Sequence, residues 1–173
     1  MQSVRSLTIQ IACVGAMALA MGIQVGAQEF RAGTLVIGHP WTRATPGGSD
    51  VAAGYMTITN KGTAPDRLVG GSLQGAARFE VHEMRMEGSV MRMRPLPKGL
   101  EIPPRQTVTL APSGYHVMFM GLKQQLKQGQ KLHGQLVFEH AGRIDVEFSV
   151  EPIGAPGPKS DMHDMHDMPG MKH

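Results

Sequence analysis

Methionine and histidine are the residues of this sequence whose number and clustering could do chemistry. The chain has 14 Met, 8 His and one Cys in 173 residues. Six methionines lie between Met84 and Met120, and four more lie between Met162 and Met171. A thioether is soft and uncharged, so it favours Cu(I) over hard cations, and neutral imidazole adds affinity. The clustering therefore points to a site for monovalent copper.

A predicted hairpin brings a histidine close to a methionine. Alternate residues of a strand share a face, so His82 and Met84 project to the same side. Gly88 and Ser89 are typical of a tight hairpin turn with glycine first. A turn there places Met84 opposite Met93 and makes His82 a diagonal neighbour of Met93, within reach of long side chains.

A third segment supplies a second imidazole and a second thioether. His116 and Met118 are two residues apart, so they project from one face of another predicted strand. The predicted Cu(I) ligands are thus His82, Met93, His116 and Met118. The remaining methionines of the region are open between packing and a supporting role at the site: Met84, Met86, Met91 and Met120.

The elements that position these residues are short alternating segments separated by turn residues. Abundant glycine and proline, 22 and 12 residues, favour many turns. Strands are predicted at residues 34–39, 53–60, 67–71, 79–86, 90–94, 99–102, 107–110, 116–120, 131–139 and 143–150. This pattern predicts an all-β fold, a Greek-key sandwich or barrel, in which residues 122–128 are the only candidate for a helical turn or two.

An uncharged apolar stretch ending in Val25-Gly26-Ala27 predicts a secretory signal peptide over residues 1–27. An uncleaved membrane anchor is the alternative, because the run approaches spanning length, but its glutamines and its Ala/Gly-rich composition oppose it. Cys13 is not preceded by the leucine of a lipoprotein box and is expected to leave with the signal. The mature chain, from about Gln28, then has no cysteine and no stable membrane insertion.

Residues 28–151 are expected to form the copper-binding domain, followed by a Pro/Gly-rich linker at 152–160 and a Met/His-rich tail at 161–173. The secondary metal ligands predicted in the tail are Met162, His163, Met165, His166, Met168, Met171 and His173. Aspartates at 161, 164 and 167 add hard oxygen ligands, which suit Cu(II) better than Cu(I). The alternative is a disordered tail with incidental metal affinity.

Several classes of function are disfavoured. A mature chain without cysteine excludes cysteine nucleophiles, thiol–disulfide exchange and the cysteine ligand of blue-copper centres. A net charge of +3 with 5% aromatic residues disfavours nucleic-acid binding. An enzyme is not expected, because no acid–base pair or nucleophile–base arrangement stands out. The carboxylates Glu80, Glu83 and Glu87 are scattered on predicted wet faces. His39 is expected to be structural, and His133 and His140 are not expected to be ligands, because neither has a matching partner.

The spacing of these residues resembles that of the periplasmic copper chaperones called PCu(A)C. That family has a His, ten residues, a Met, about twenty-one residues and then His-x-Met. Here ten residues separate His82 from Met93, and twenty-two separate Met93 from His116, one more than the nominal spacing. The residues around both segments are similar to the family's, as is Ala52-Ala-Gly-Tyr-Met56.

The resemblance covers about residues 34–150 and implies a cupredoxin-like β-sandwich in the periplasm that binds Cu(I) at the four matching positions. It also implies delivery of copper to the dinuclear site of cytochrome c oxidase, with subunit II of that oxidase or a thiol-bearing partner chaperone as acceptor. Two other functions stay open. One is a copper storage or resistance protein whose main site is the tail, and the other is a metal-free β-sandwich for adhesion or assembly.

Overall fold

The computed structural model describes residues 29–156, and every regular element in that range is a β-strand. The strands are β1 (Glu29–Ala32), β2 (Leu35–Arg43), β3 (Val51–Asn60), β4 (Asp66–Leu73), β5 (Arg78–Glu87), β6 (Val90–Pro95), β7 (Leu100–Ile102), β8 (Thr107–Leu110), β9 (Tyr115–Met120), β10 (Lys131–Phe138) and β11 (Gly142–Glu151). The predicted all-β class is confirmed. The short strand β1 was not predicted. Residues 29–156 contain no helix long and apolar enough to cross a membrane.

The strands join edge to edge in the order β6-β5-β9-β8-β3-β2-β11-β10-β4-β7, with β1 paired to β2. Most neighbours are antiparallel, whereas β2 with β11 and β8 with β9 are parallel. Rings from strands far apart in this order meet in the core: Phe119 of β9 packs edge-on against Phe148 of β11, with centroids 5.3 Å apart. The sheet is therefore folded over onto itself as a β-sandwich.

Alternation along β5 and β9 decides which residues reach the core. Val117 and Phe119 of β9 are fully buried inside, and Val81 of β5 lies inside with them. Successive side chains of a strand point to opposite faces of the sheet. The residues next to these buried positions on each strand therefore project to the outer side of the sheet. His82 and His116 belong to that outer set.

A β-bulge in β2 changes the face that the second half of this strand presents. Ile37 pairs with Ile58, and both are fully buried in the core. The register then shifts by one residue around His39, whose φ is 54°, and Trp41 pairs with Tyr55. The Trp41 and Tyr55 rings lie on the outer side with centroids 4.5 Å apart. This backbone position gives His39 a structural role.

Close contact between β3 and β9 requires a glycine at position 54. A β-carbon there would lie 2.6 Å from the Phe119 ring and 2.7 Å from Val117. Gly54 pairs directly with Val117. The missing side chain therefore lets β3 support the strand that carries His116 and Met118.

The segment 122–128, which was the one candidate for a helical turn, contains bends and turns instead. Its backbone groups bind elsewhere: Leu126 N–H donates to the Thr45 hydroxyl, and the Thr45 N–H donates to the Leu126 carbonyl. Leu126 is also buried in the core. Hydrogen bonds to the 44–50 loop take the place of the hydrogen bonds within the segment that a helix would need, and the burial of Leu126 adds to them.

Candidate metal centre

The centre is built on a cross-strand pair of histidines. Antiparallel pairing of β5 with β9 places His82 directly opposite His116 on the outer side of the sheet. Their ring centroids are 5.8 Å apart at an interplanar angle of 44°. Both residues are buried, with exposures of 8% and 4%. Two imidazoles that are distant in sequence thus share one sheltered position.

The β5–β6 hairpin has the register that the sequence predicts. Glu87 pairs with Val90, and Met84 pairs with Met93. Gly88 begins the turn with a φ of 63°, a value that few residues other than glycine adopt without strain. This local turn is what carries the Met93 side chain to the histidine pair.

His116 and Met93 face each other with no hydrogen between them. The Nδ1 of His116 lies 3.1 Å from the Gly114 carbonyl, which can only accept, so Nδ1 carries the ring proton of the neutral imidazole. Its Nε2 then holds a lone pair and lies 3.2 Å from the Met93 sulfur. Metal–nitrogen bonds of about 2 Å and metal–sulfur bonds of about 2.3 Å place such donors about 3.5 Å apart around one ion. The pair fits a shared metal.

Burial lowers the pKa of His116 below its ordinary value, and the neighbouring His82 lowers it further. The hydrogen bond to the Gly114 carbonyl acts in the opposite direction. The balance favours the neutral ring, which is the form that can ligate a metal.

His82 presents an unused donor atom. Its Nε2 lies 2.9 Å from a carboxylate oxygen of Glu80, which in its ionised form only accepts, so Nε2 carries the proton. Its Nδ1 is buried without a hydrogen-bond partner in the part of the chain that the structure describes. An unsatisfied buried polar atom costs about 1–3 kcal/mol. A metal ion at this lone pair would remove the penalty.

Glu80, predicted on a wet face, has a side chain that is 41% exposed on the outer side of the sheet, but it also contacts the site, which the sequence analysis did not predict. Glu80 precedes His82 by two residues, so the two side chains share a face of β5, and the carboxylate binds the imidazole. The same two-residue spacing that grouped His82 with Met84 could have found it. Glu87, by contrast, projects to the other side of the hairpin, where it pairs with Arg92 and Arg94.

Met118 lies on the face of the histidine pair. It is opposite Glu80 across the β5–β9 ladder and two residues from His116. The four residues predicted as Cu(I) ligands therefore occupy one face: three are joined by contacts between rings and sulfur, and Met118 by its register position. Their role as ligands stays a prediction.

The other methionines divide by exposure. Met56 is 2% exposed in the core, and Met120 has its sulfur 3.8 Å from the guanidinium of Arg78. Met86 and Met91 are 56% and 46% exposed, so they do not pack the interior.

His133 and His140 are exposed. The predicted signal peptide and the tail ligands from Met162 to His173 lie outside the described residues.

The family model described as "Putative lipoprotein LpqE-like" matches residues 35–150. The chain belongs to the LpqE-like family. Another similar protein is "Putative lipoprotein Lxx21020" of Leifsonia xyli subsp. xyli (strain CTCB07). It is 29% identical over 154 residues, which cover 88% of this chain and 87% of that protein.

This LpqE-like chain is also similar to solved PCuAC domains. The copper-bound PCuAC domain from PmoF2 matches with a TM-score of 0.62 and 30% identity over 72% of this chain and 98% of that one. The solution structure of CuI-DR1885 from Deinococcus radiodurans matches with a TM-score of 0.56 and 32% identity over 73% and 83% of the two chains. The expected cupredoxin-like β-sandwich is confirmed, and the described part is a PCuAC-like domain.

Replacing Glu80 with alanine is expected to release the ring of His82 from its single tautomer. Without the carboxylate, the proton is no longer fixed on Nε2 and exchanges between both ring nitrogens. Long-range ¹⁵N–¹H NMR on the metal-free protein reports the tautomer of each histidine. Glu83→Ala, on the opposite face of β5, is the matched control. An unchanged His82 spectrum in Glu80→Ala contradicts this role of the carboxylate.

The stability of the metal-free protein should depend on pH through His116. Its pKa is lowered in the folded state from an ordinary value of 6.5. As pH falls below 6.5, the unfolded chain takes up the proton first, so the free energy of unfolding decreases until pH passes the lowered pKa. Urea unfolding of the wild type and of His116→Asn measures the effect. The two proteins share nearly all other titrating groups, so the difference between their free energies of unfolding reports His116. A wild-type-minus-variant difference that stays constant from pH 7.5 to pH 5 would count against it.

Proposed function

We propose that this protein is an exported copper chaperone that binds Cu(I) through His82, Met93, His116 and Met118 and passes it to an acceptor. One observation carries the proposal: the Nε2 lone pair of His116 faces the Met93 sulfur at 3.2 Å. Beside it, the buried Nδ1 of His82 has no hydrogen-bond partner within residues 29–156. These donors belong to side chains that share the outer face of one sheet.

The comparisons support copper as the ion. The PmoF2 domain is described as copper-bound and DR1885 as its CuI form, and this chain is 30% and 32% identical to them. The oxidation state follows from the donors, because uncharged thioether sulfur favours soft Cu(I) over harder ions. Neutral imidazoles complete a set that needs no thiolate.

The burial of the donors suits transfer rather than permanent retention. The imidazoles are buried, whereas Met93 is 51% exposed, so the ion would sit beneath a ligand that solvent and a partner can reach. An acceptor can displace this neutral sulfur first and the remaining donors afterwards. Copper stays Cu(I) throughout, and the protein needs no catalytic group.

The acceptor that we propose is the dinuclear copper site of cytochrome c oxidase, reached through subunit II or through a thiol-bearing partner chaperone. The support is the motif spacing shared with PCu(A)C proteins. Thiolate is soft like thioether but negatively charged, so it attracts a cuprous ion more strongly. Transfer to such an acceptor would therefore be downhill.

Export predicts a mature protein that begins near Gln28 and lacks Cys13. The family and the Leifsonia protein both carry the word lipoprotein in their descriptions, which supports export. Intact-mass measurement of the protein recovered from both the periplasmic and the membrane fractions distinguishes cleavage after Ala27 from lipid modification at Cys13. A lipid-modified chain that begins at Cys13 would contradict cleavage after Ala27 and would replace a free periplasmic chaperone with a membrane-anchored one.

Cu(I) binding should survive removal of the tail and depend on the four ligands. The mature chain ended at Glu151 is expected to bind one Cu(I) tightly, with separate nitrogen and sulfur shells in X-ray absorption. The double variant His116→Ala/Met118→Ala should lose that ion. Met93→Leu should weaken it, because leucine keeps the apolar volume at an exposed position but has no sulfur. Met56→Leu, in the core, is the matched control.

Two results would favour the other functions. Loss of most copper on deleting residues 152–173 is what storage in the tail predicts. Saturation with metal that leaves the melting temperature unchanged would favour the metal-free module, because an ion that binds only the native state must stabilise it.

A further inference from the structure

The β5–β6 hairpin carries a row of four methionines on the face of the histidine pair. Met84 lies opposite Met93, and Met86 lies opposite Met91, one step nearer the turn. Side chains alternate between the two faces along each strand, and the two methionine pairs are two residues apart. All four methionines therefore share one face. The row therefore runs from His116, which Met93 contacts, to the tip of the hairpin.

Three of these four side chains have no role in packing the core. Met86, Met91 and Met93 are 56%, 46% and 51% exposed, whereas Met56 in the core is 2% exposed. Thioethers that lie in water on adjacent strands remain available as ligands. Met86 and Met91 are the pair that the proposed copper site does not use.

The two faces of the hairpin are chemically separate. The opposite face carries charged residues: Glu87 binds both Arg92 and Arg94, and Arg85 lies opposite Arg92. The methionine face carries no charged side chain over the stretch from residue 84 to residue 93, since the charged residues there occupy the alternate positions. A soft, uncharged donor surface of this kind selects soft ions over hard ones.

We propose that Met86 and Met91, with Met84 as a third sulfur, form a second Cu(I) site at the exposed end of the hairpin. Directly opposed residues have β-carbons about 4.5–5.5 Å apart, and a diagonal neighbour lies about 7–8 Å away. The unbranched methionine side chain has enough rotatable bonds to close both gaps around one ion. Three neutral sulfurs without an imidazole bind more weakly than the mixed site.

The second site serves as the entry point for the first. Met84 lies opposite Met93, so an ion held by Met84, Met86 and Met91 can exchange one thioether at a time and reach His116. Every step replaces one neutral sulfur or nitrogen by another, and copper remains cuprous. This relay rests on the proposed site at His82 and His116, whereas the second site itself does not.

Methyl NMR on the full chain tests both parts. With ¹³C-methyl methionine, each methionine gives its own signal, assigned by Met→Leu variants, and Cu(I) alone is added without oxygen. The Met93 signal is expected to respond first. The signals of Met86 and Met91 should respond together at higher free Cu(I).

The relay is tested by the double variant Met86→Leu/Met91→Leu. Both positions are exposed and leucine conserves the apolar volume, so folding should be unaffected. The weaker binding event should disappear, the affinity of the Met93 event should be unchanged, and Cu(I) uptake from a competing chelator should slow several-fold. Met56→Leu is the control.

Each part fails separately. Met86 and Met91 signals that never move while Met93 responds would overturn the second site and leave the proposed function standing. Met86 and Met91 signals that respond while Met93 and both histidines do not would support the second site and overturn the proposed function. Uptake by the double variant at the parental rate would overturn the relay.

Discussion

The antiparallel register in which β5 meets β9 is the constraint on which the candidate centre depends. It sets His82 opposite His116. A slip of one residue would turn His82 into the apolar core and expose Val81, because facing alternates along a strand. Val117 and Phe119 are fully buried, so burial of apolar side chains holds the register. The position of the imidazoles is thus decided by the hydrophobic residues between them.

Hydrogen bonds from the surrounding protein orient the lone pairs of both rings. The Gly114 carbonyl holds the proton of His116 on Nδ1, and the Glu80 carboxylate holds that of His82 on Nε2. Opposite ring nitrogens are therefore left as donors on the two histidines. Within residues 29–156 the Nδ1 of His82 is buried without a hydrogen-bond partner, and a metal ion bound there would recover the free energy that this costs. At the proposed site, folding and metal binding would be coupled through these two rings.

The sequence was informative where the determinants are local. Gly88 specifies the turn, and the turn fixes the hairpin register. The pairing of His82 with His116 is non-local, and the alternation along either strand does not specify it. Their shared donor chemistry and the spacing shared with a known family suggested that the two lie at one site. Glu80 was missed because alternation was applied to methionines and not to the carboxylate two residues away. The bulge at His39 inserts one extra residue into β2 relative to its partner strand β3. The alternation pattern of β2 alone does not show how β2 is aligned with β3, so the sequence did not predict this bulge.

Met93 is 51% exposed, so peroxide as well as copper can approach this residue from solvent. Oxidation to the sulfoxide would place a polar oxygen on the soft atom and remove one donor while the buried imidazoles of His82 and His116 persist. The same accessibility admits the reductases that restore methionine. In the proposed transfer, a sulfur that meets an acceptor cannot also be shielded from oxidants, so the transfer activity would depend on whether this one exposed methionine is oxidised.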